Sequence, residues 1–192
     1  MFRNALLSLT LFGVLVSTGS VSAADYNIDT KGSHAFVQFR VQHLGFSWLY
    51  GRFDEFSGTF SYDENKPENA SIKVDISTAS VDSNHAERDK HLRGDKFLDV
   101  EKFPKASFIS KRVEVIDETH AKVYGDLSLK DVTKEVVLDV ERIGMGEDPW
   151  GGYRAGFQGS TTFRMKDFNI LRDLGPMSQD VEMILSVEGI RQ

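Results

Sequence analysis

Alternation of apolar and polar residues with a period of two runs through nearly all of this chain, and it stops only once. Ala35, Val37, Phe39 and Val41 alternate with Phe36, Gln38, Arg40 and Gln42, which gives a strand one dry face. The pattern resumes from Trp48 to Phe53 and through Phe56, Gly58, Phe60 and Tyr62. After a turn at Pro67 it continues in Ile72, Val74 and Ile76, with Lys73 and Asp75 on the wet side. Further runs centre on Val113 and Val115, on Val123 to Leu129, on Val136 to Val140, on Ala155 to Met165 and on Val181 to Val187. Lys130-Asp131 has the form of a tight hairpin turn, Gly144 to Gly152 of a long hairpin loop, and Leu171 to Ser178 of an irregular crossing. About eight strands at short spacing, with no βαβ pattern, predict a mainly β fold: a single antiparallel eight-stranded barrel. A barrel of that size is just wide enough to be filled by side chains or to hold one small ligand.

The interruption spans Val81 to Phe108. Asn84 followed by Glu87 has capping-box spacing, so a helix is expected from about residue 84, ending at Gly94. Ala86 and Leu92 are nearly its only apolar residues, which makes it a cover rather than a core element. Phe97, Leu98, Val100 and Phe103 cluster around a second turn, and Pro104 forces Phe103 into an extended conformation. The interruption therefore reads as a short helical insertion over the barrel. Within it, Glu87 and Asp89 are mixed with Arg88, Lys90 and Arg93. Two readings stand: an exposed helix with weak ion pairs, or a helix that Arg88 and His91 help to fix over the barrel mouth.

Residues 1–23 carry Arg3, an apolar run from Ala5 to Val16 and the small-residue end Val21-Ser22-Ala23. This is the order of a secretory signal peptide, and the apolar run is too short for a spanning helix. Cleavage after Ala23 is expected, leaving residues 24–192 as one domain with room for a sizeable core. Loss of Arg3 leaves 22 Lys and Arg against 29 Asp and Glu, a net charge of −7. Such a chain is a poor partner for nucleic acid and for anionic membrane surfaces. It has no cysteine, which excludes disulfides, thiol catalysis, cysteine-ligated metals and a lipid-modified N-terminal cysteine.

No catalytic constellation stands out. There is no Gly-x-Ser-x-Gly elbow, and the loop from Gly144 lacks the Gly-Lys-Ser/Thr ending of a phosphate-binding loop. Of the five histidines, His85 and His91 are six apart, not at the i, i+4 spacing of a zinc helix. No metal site and no catalytic residue are expected. Twelve phenylalanines remain after the leader, and Ala35, Gly58, Gly125 and Gly159 lie in line with the strands that carry many of them. Small residues on an inward face leave room for something else, so pattern alone leaves a packed and a ligand-filled interior equally open.

Several stretches carry a resemblance that decides between them. Asn84-His85-Ala86-Glu87-Arg88-Asp89-Lys90-His91-Leu92-Arg93, Lys96-Phe97-Leu98 and Phe103-Pro104-Lys105-Ala106-Ser107-Phe108 resemble the signature of the YceI-like family of periplasmic isoprenoid-binding proteins. The likeness continues in Ser33 to Arg40, Gln42 to Gly45, Asp148 to Gly152 and Asp167 to Ile170. One departure is Asp131, where the family usually has glycine near the turn. The resemblance implies a lipocalin-like barrel holding a polyisoprenoid or isoprenoid quinone as ligand, with no cofactor and no known catalysis.

The expectation that follows is a periplasmic carrier for a long-chain apolar lipid, with no stable membrane insertion and its oligomeric state left open. Val37, Phe39, Ile72, Val74, Ile76, Phe157 and Phe163 are expected to line the interior. Arg40, His43 and Trp48 are candidates for the ligand's polar end, although Arg40 lies opposite the cleaner apolar face and reads equally well as a solvated arginine. Arg88, His91 and Leu92 belong to the cover helix. The rival classes are an eight-stranded outer-membrane barrel and a lipid-modifying enzyme.

Overall fold

The computed structural model describes residues 23–192 of the chain. The expected leader, apart from Ala23, lies outside them. Eleven strands form one antiparallel sheet: β1 (Ala24–Ile28), β2 (Phe36–His43), β3 (Ser47–Phe53), β4 (Phe56–Tyr62), β5 (Ser71–Ser77), β6 (Val81–Asp82), β7 (Lys105–Val115), β8 (His120–Leu129), β9 (Val132–Glu147), β10 (Tyr153–Arg164) and β11 (Asp180–Arg191). Eight of them close the ring. The order β1-β4-β5-β7-β8-β9-β10-β11 returns on itself where β1 pairs with β11, with Tyr26 opposite Arg191 and Ile28 opposite Gly189.

The other three strands branch from the last strand of the ring. Towards its beginning, β11 exchanges β1 for β2, with Val181 opposite Val41 and Ser186 opposite Phe36. β3 and the two-residue β6 then follow β2. Between β1 and β2 the chain crosses at Asp29 to Ala35, where Asp29 accepts from Gly32 N–H at 2.8 Å and Ser33 takes a left-handed φ of 57°. The closed ring has the expected eight strands, and the three further strands add to its edge along β11.

Of the two hairpin turns read from the sequence, Lys130-Asp131 is tight as expected and the later loop differs. The β8–β9 hairpin has two residues, and Lys130, not Asp131, takes positive φ, 55°. Lys130 Nζ donates to Asn169 O at 2.9 Å and Asn169 Nδ2 to Asp131 Oδ1 at 3.0 Å, so the turn is fixed by the neighbouring crossing. The β9–β10 loop is shorter than Gly144 to Gly152, since β9 runs to Glu147. Asp148 closes what is left by accepting from Trp150 and Gly152 N–H.

One end of the barrel is plugged. Tyr26 stacks on Phe60 with centroids 4.8 Å apart, and Phe157 meets the edges of Phe60 and Tyr62 at 5.4 and 5.2 Å. The other end receives α1 (Ala86–Arg93) and the turn after it, with Leu92, Phe97, Leu98 and Val100 packed into the upper core. The helix starts one residue later than the capping-box spacing predicts. Asn84 takes positive φ, 61°, and His85 is the cap, its Nδ1 accepting from Arg88 N–H at 3.2 Å. Gly94 follows the last helical residue as expected.

Candidate ligand-binding site

The inward faces of the strands enclose two apolar chambers. The upper one, about 480 Å³, lies under the helix and is walled by Phe39, Val41, Phe53, Leu92, Leu98, Phe163 and Leu174, among others. The lower one, about 170 Å³, is walled by Ile28, Val37, Ile72, Val74, Phe108, Leu138, Phe157 and Leu185, among others. Ile76, Leu127 and Met183 line both, so the two chambers meet at a common waist. All seven residues expected to line the interior are on these walls: Phe39 and Phe163 above, Val37, Ile72, Val74 and Phe157 below, and Ile76 between.

The glycines do not all make room. A Cβ on Gly125 would lie 2.5 Å from Phe108 Cζ and from Ile109 O, and one on Gly58 would meet Lys73 O at 2.6 Å and Ile28 Cδ1 at 2.8 Å. Phe108 and Ile28 already cover these positions, so the glycines serve close packing and not the chamber. Gly159 fits the expectation, since it lines the lower chamber and its nearest neighbours would be 3.7 Å away.

Two of the three candidates for the ligand's polar end are directed elsewhere. Arg40 is on the outer face of β2, donating to Glu182 of β11 at 2.7 and 3.0 Å and stacked over Trp48 with its guanidinium carbon 4.3 Å from the ring centre. Residue 40 has the parity opposite to Val37 and Phe39, and Gln42 opposite Trp48 puts that ring on the same outer face. Arg40 and Trp48 therefore form an exterior ion pair and stack. His43, with the parity of Val37, does reach the rim of the upper chamber.

The helix is held down by a compact polar joint. Asp89, buried on its underside, accepts from Ser83 N–H at 2.8 Å and from the Ser83 hydroxyl. Burial alone would raise the Asp89 pKa, but the two Ser83 donors, with Arg93 and Arg88, outweigh it and hold the carboxyl below its usual range. Arg88 Nε donates to Ser83 Oγ at 2.7 Å, and Arg93 donates to Val81 O at 2.8 Å. Among the described residues no ion pair lies within the helix. Of the two readings of its charges, the geometry fits the one in which Arg88 fixes it, while His91 and Leu92 face the chamber.

Sequence reasoning missed the cluster at the plugged end. Arg154 donates to Asp29 at 2.9 Å, to Asp148 at 2.7 Å and to Glu188, and His34 Nδ1 lies 2.9 Å from Asp29 Oδ2. Hydrogen bonds from His34, Arg154 and Gly32 lower the Asp29 pKa to about 2. Asp29, His34 and Glu188 have the donor types of a metal site. The Arg154 guanidinium already supplies the cation between the two carboxylates, so the cluster is explained as a structural clamp.

A closed antiparallel barrel, plugged at one end and covered at the other around two adjoining apolar chambers, defines the class of covered, lipocalin-like β-barrels. The chain belongs to the YceI-like family, whose YceI-like domain matches residues 26–189. UPF0312 proteins of Pectobacterium atrosepticum and Pseudomonas aeruginosa are 55% and 54% identical, each over the full length of both chains. A YceI protein of Campylobacter jejuni is 29% identical with a TM-score of 0.72, covering 79% of this chain and 90% of its own. Burkholderia cenocepacia BcnA matches with a TM-score of 0.74 at 19% identity, covering 84% of this chain and 98% of its own. A Saccharophagus degradans domain described as polyisoprenoid binding matches at 0.63 and 17% identity, covering 89% of this chain and all of its own. The last two show the fold alone.

Proposed function

We propose that this chain is a periplasmic, non-catalytic carrier for one long apolar isoprenoid, a polyprenyl or isoprenoid quinone chain, held inside the barrel. The observation that carries this reading is the pair of joined apolar chambers. A cavity of about 150 Å³ accepts one benzene ring, so an upper chamber of about 480 Å³ takes on the order of twenty carbons, and the lower one extends it. Each CH₂ removed from water contributes about 0.8 kcal/mol, enough to hold such a chain without a strong polar contact. The description of the Saccharophagus degradans domain as polyisoprenoid binding supports the choice of ligand class.

The rival classes fit less well. An outer-membrane barrel would turn apolar residues to lipid, whereas here the outward faces carry the pairs Arg40–Glu182, Lys122–Asp139 and Arg164–Asp180. An enzyme would need an activated group at the chamber wall. The two serine hydroxyls of the upper chamber have structural partners, Ser83 donating to Asp89 and Ser178 to Gln42 O at 2.6 Å. Thermal unfolding tests the carrier reading. Removing bound lipid should lower the Tm, and adding back a polyprenyl quinone should restore about 2.7 kcal/mol at a hundredfold excess over Kd. A Tm insensitive to both treatments would count against it.

A further inference from the structure

Large apolar side chains are exposed at the mouth of the upper chamber. Phe46 is 85% exposed at the tip of the β2–β3 hairpin, Leu44 beside it 55%, and Leu171 and Met177 in the crossing before β11 are 76% and 53%. The hairpin and the crossing are tied into one surface. Leu44 N–H donates to Ser178 Oγ at 3.2 Å, and that hydroxyl donates to Gln42 O at 2.6 Å. A Cβ on Gly45 would sit 3.5 Å from Met177 Cγ, so the two loops are also in van der Waals contact. Exposed apolar residues grouped in this way mark an interaction site, in contrast to those scattered singly.

We infer that this surface docks on a phospholipid bilayer, so that the chamber opens directly into the leaflet from which its cargo comes. Two observations select a bilayer as the occupant. First, the patch is continuous with the chamber: Leu44 and Arg172 are exposed and also line the chamber wall, and Ile170, buried beside the exposed Leu171, lines it from within. An apolar chain leaving a membrane can thus pass along one uninterrupted apolar path. Second, the Arg, Lys, His, Asp and Glu residues on that wall are all basic: His43, Arg88, His91 and Arg172. His43, His91 and Arg172 are exposed and would meet lipid phosphates at the rim, while Arg88 is held by Ser83.

The plugged end also exposes apolar residues, Ile116 and Trp150. There the wall of the lower chamber carries Asp117 and Glu118 beside His120 and Arg142, so that end lacks the wholly basic rim of the upper one. Docking is peripheral. It needs no spanning segment, in keeping with the finding that no helix among the described residues is long and apolar enough to cross a membrane, and it relies on a few side chains entering the interface, as peripheral anchors do.

The inference rests on the carrier reading for its purpose but not for its test. Flotation with mixed phosphatidylethanolamine and phosphatidylglycerol vesicles measures docking whether or not cargo is bound, and mass spectrometry of the same preparation reports the cargo separately. Wild-type protein should float with vesicles. The double substitution Phe46→Ser with Leu171→Ser should weaken vesicle binding by about tenfold or more while leaving the circular dichroism and the lipid content unchanged, and Trp150→Ser should bind as wild type. Wild-type protein that does not float would overturn the inference, as would equal flotation of the double variant. A double variant that changes from dimer to monomer with vesicle binding intact would also overturn it, since the patch would then belong to a second copy of the chain. Absence of lipid from a preparation that floats would remove the carrier reading alone.

Discussion

One oxygen of Asp89, on the underside of the cover helix, accepts both the N–H and the hydroxyl of Ser83, the residue that follows β6. The joint holds eight helical residues over a chamber that they close with little apolar surface of their own. Asp89→Ala should leave the Ser83 donors without a partner, at a cost of about 1–3 kcal/mol. Hydrogen exchange of residues 84–93 should accelerate while strand amides stay protected. Unchanged protection there would mean that Leu92 and the turn after it hold the cover unaided.

Leu92 is the helix's apolar contact with the upper chamber. Leu92→Asp should speed release of a bound chain, measured by transfer to acceptor vesicles, with the β-sheet circular dichroism retained. Release at the wild-type rate would show that the helix does not gate the chamber.

The strand faces are legible in the sequence because parity is local. Val37 and Phe39, then Ile72, Val74 and Ile76, then Phe157 and Phe163 each share one parity, and each set faces the interior. The same parity already places Arg40 on the outer face, and its nearness to the strand end says nothing about its partner Glu182, 142 residues away. What is not legible depends on pairing between distant segments. The exchange of β1 for β2 along β11 leaves no mark in the alternation. The ring of Phe108 over Gly125 and the Arg154 clamp on Asp29, Asp148 and Glu188 are likewise set by register. The helix cap is a nearer miss: Asn84 and His85 are adjacent, and the left-handed backbone at Asn84 passes the capping role to His85.

The two glycines facing the interior should respond differently to a methyl group. Gly125→Ala places Cβ 2.5 Å from Phe108 Cζ and from a backbone oxygen and should cost about 1–3 kcal/mol in denaturant unfolding, the usual range for overpacking. Gly159→Ala meets nothing closer than 3.7 Å and should lower stability by less. Equal effects would contradict the assignment of Gly125 to packing.

Acid stability should carry the signature of Asp29. Its folded pKa, about 2, lies below the ordinary value of 3.8, so its contribution is fully present above that value and is lost as pH falls from about 4 towards 2. In Asp29→Asn the dependence of Tm on pH over that window should flatten, and the variant should be less stable than wild type at neutral pH. An unchanged slope would indicate that Arg154 holds the crossing through Glu188 and Asp148 without Asp29.

The central claim is that the joined chambers carry an isoprenoid chain in the cell, and mass spectrometry of an organic extract from protein purified without detergent tests it most directly. The wild-type extract should contain one class of polyprenyl or isoprenoid quinone lipid in near-stoichiometric amount. That lipid should be lost from Val74→Trp, which narrows the lower chamber at a cost of about 1–3 kcal/mol of overpacking. Wild-type protein that is folded yet yields no such lipid would contradict the account.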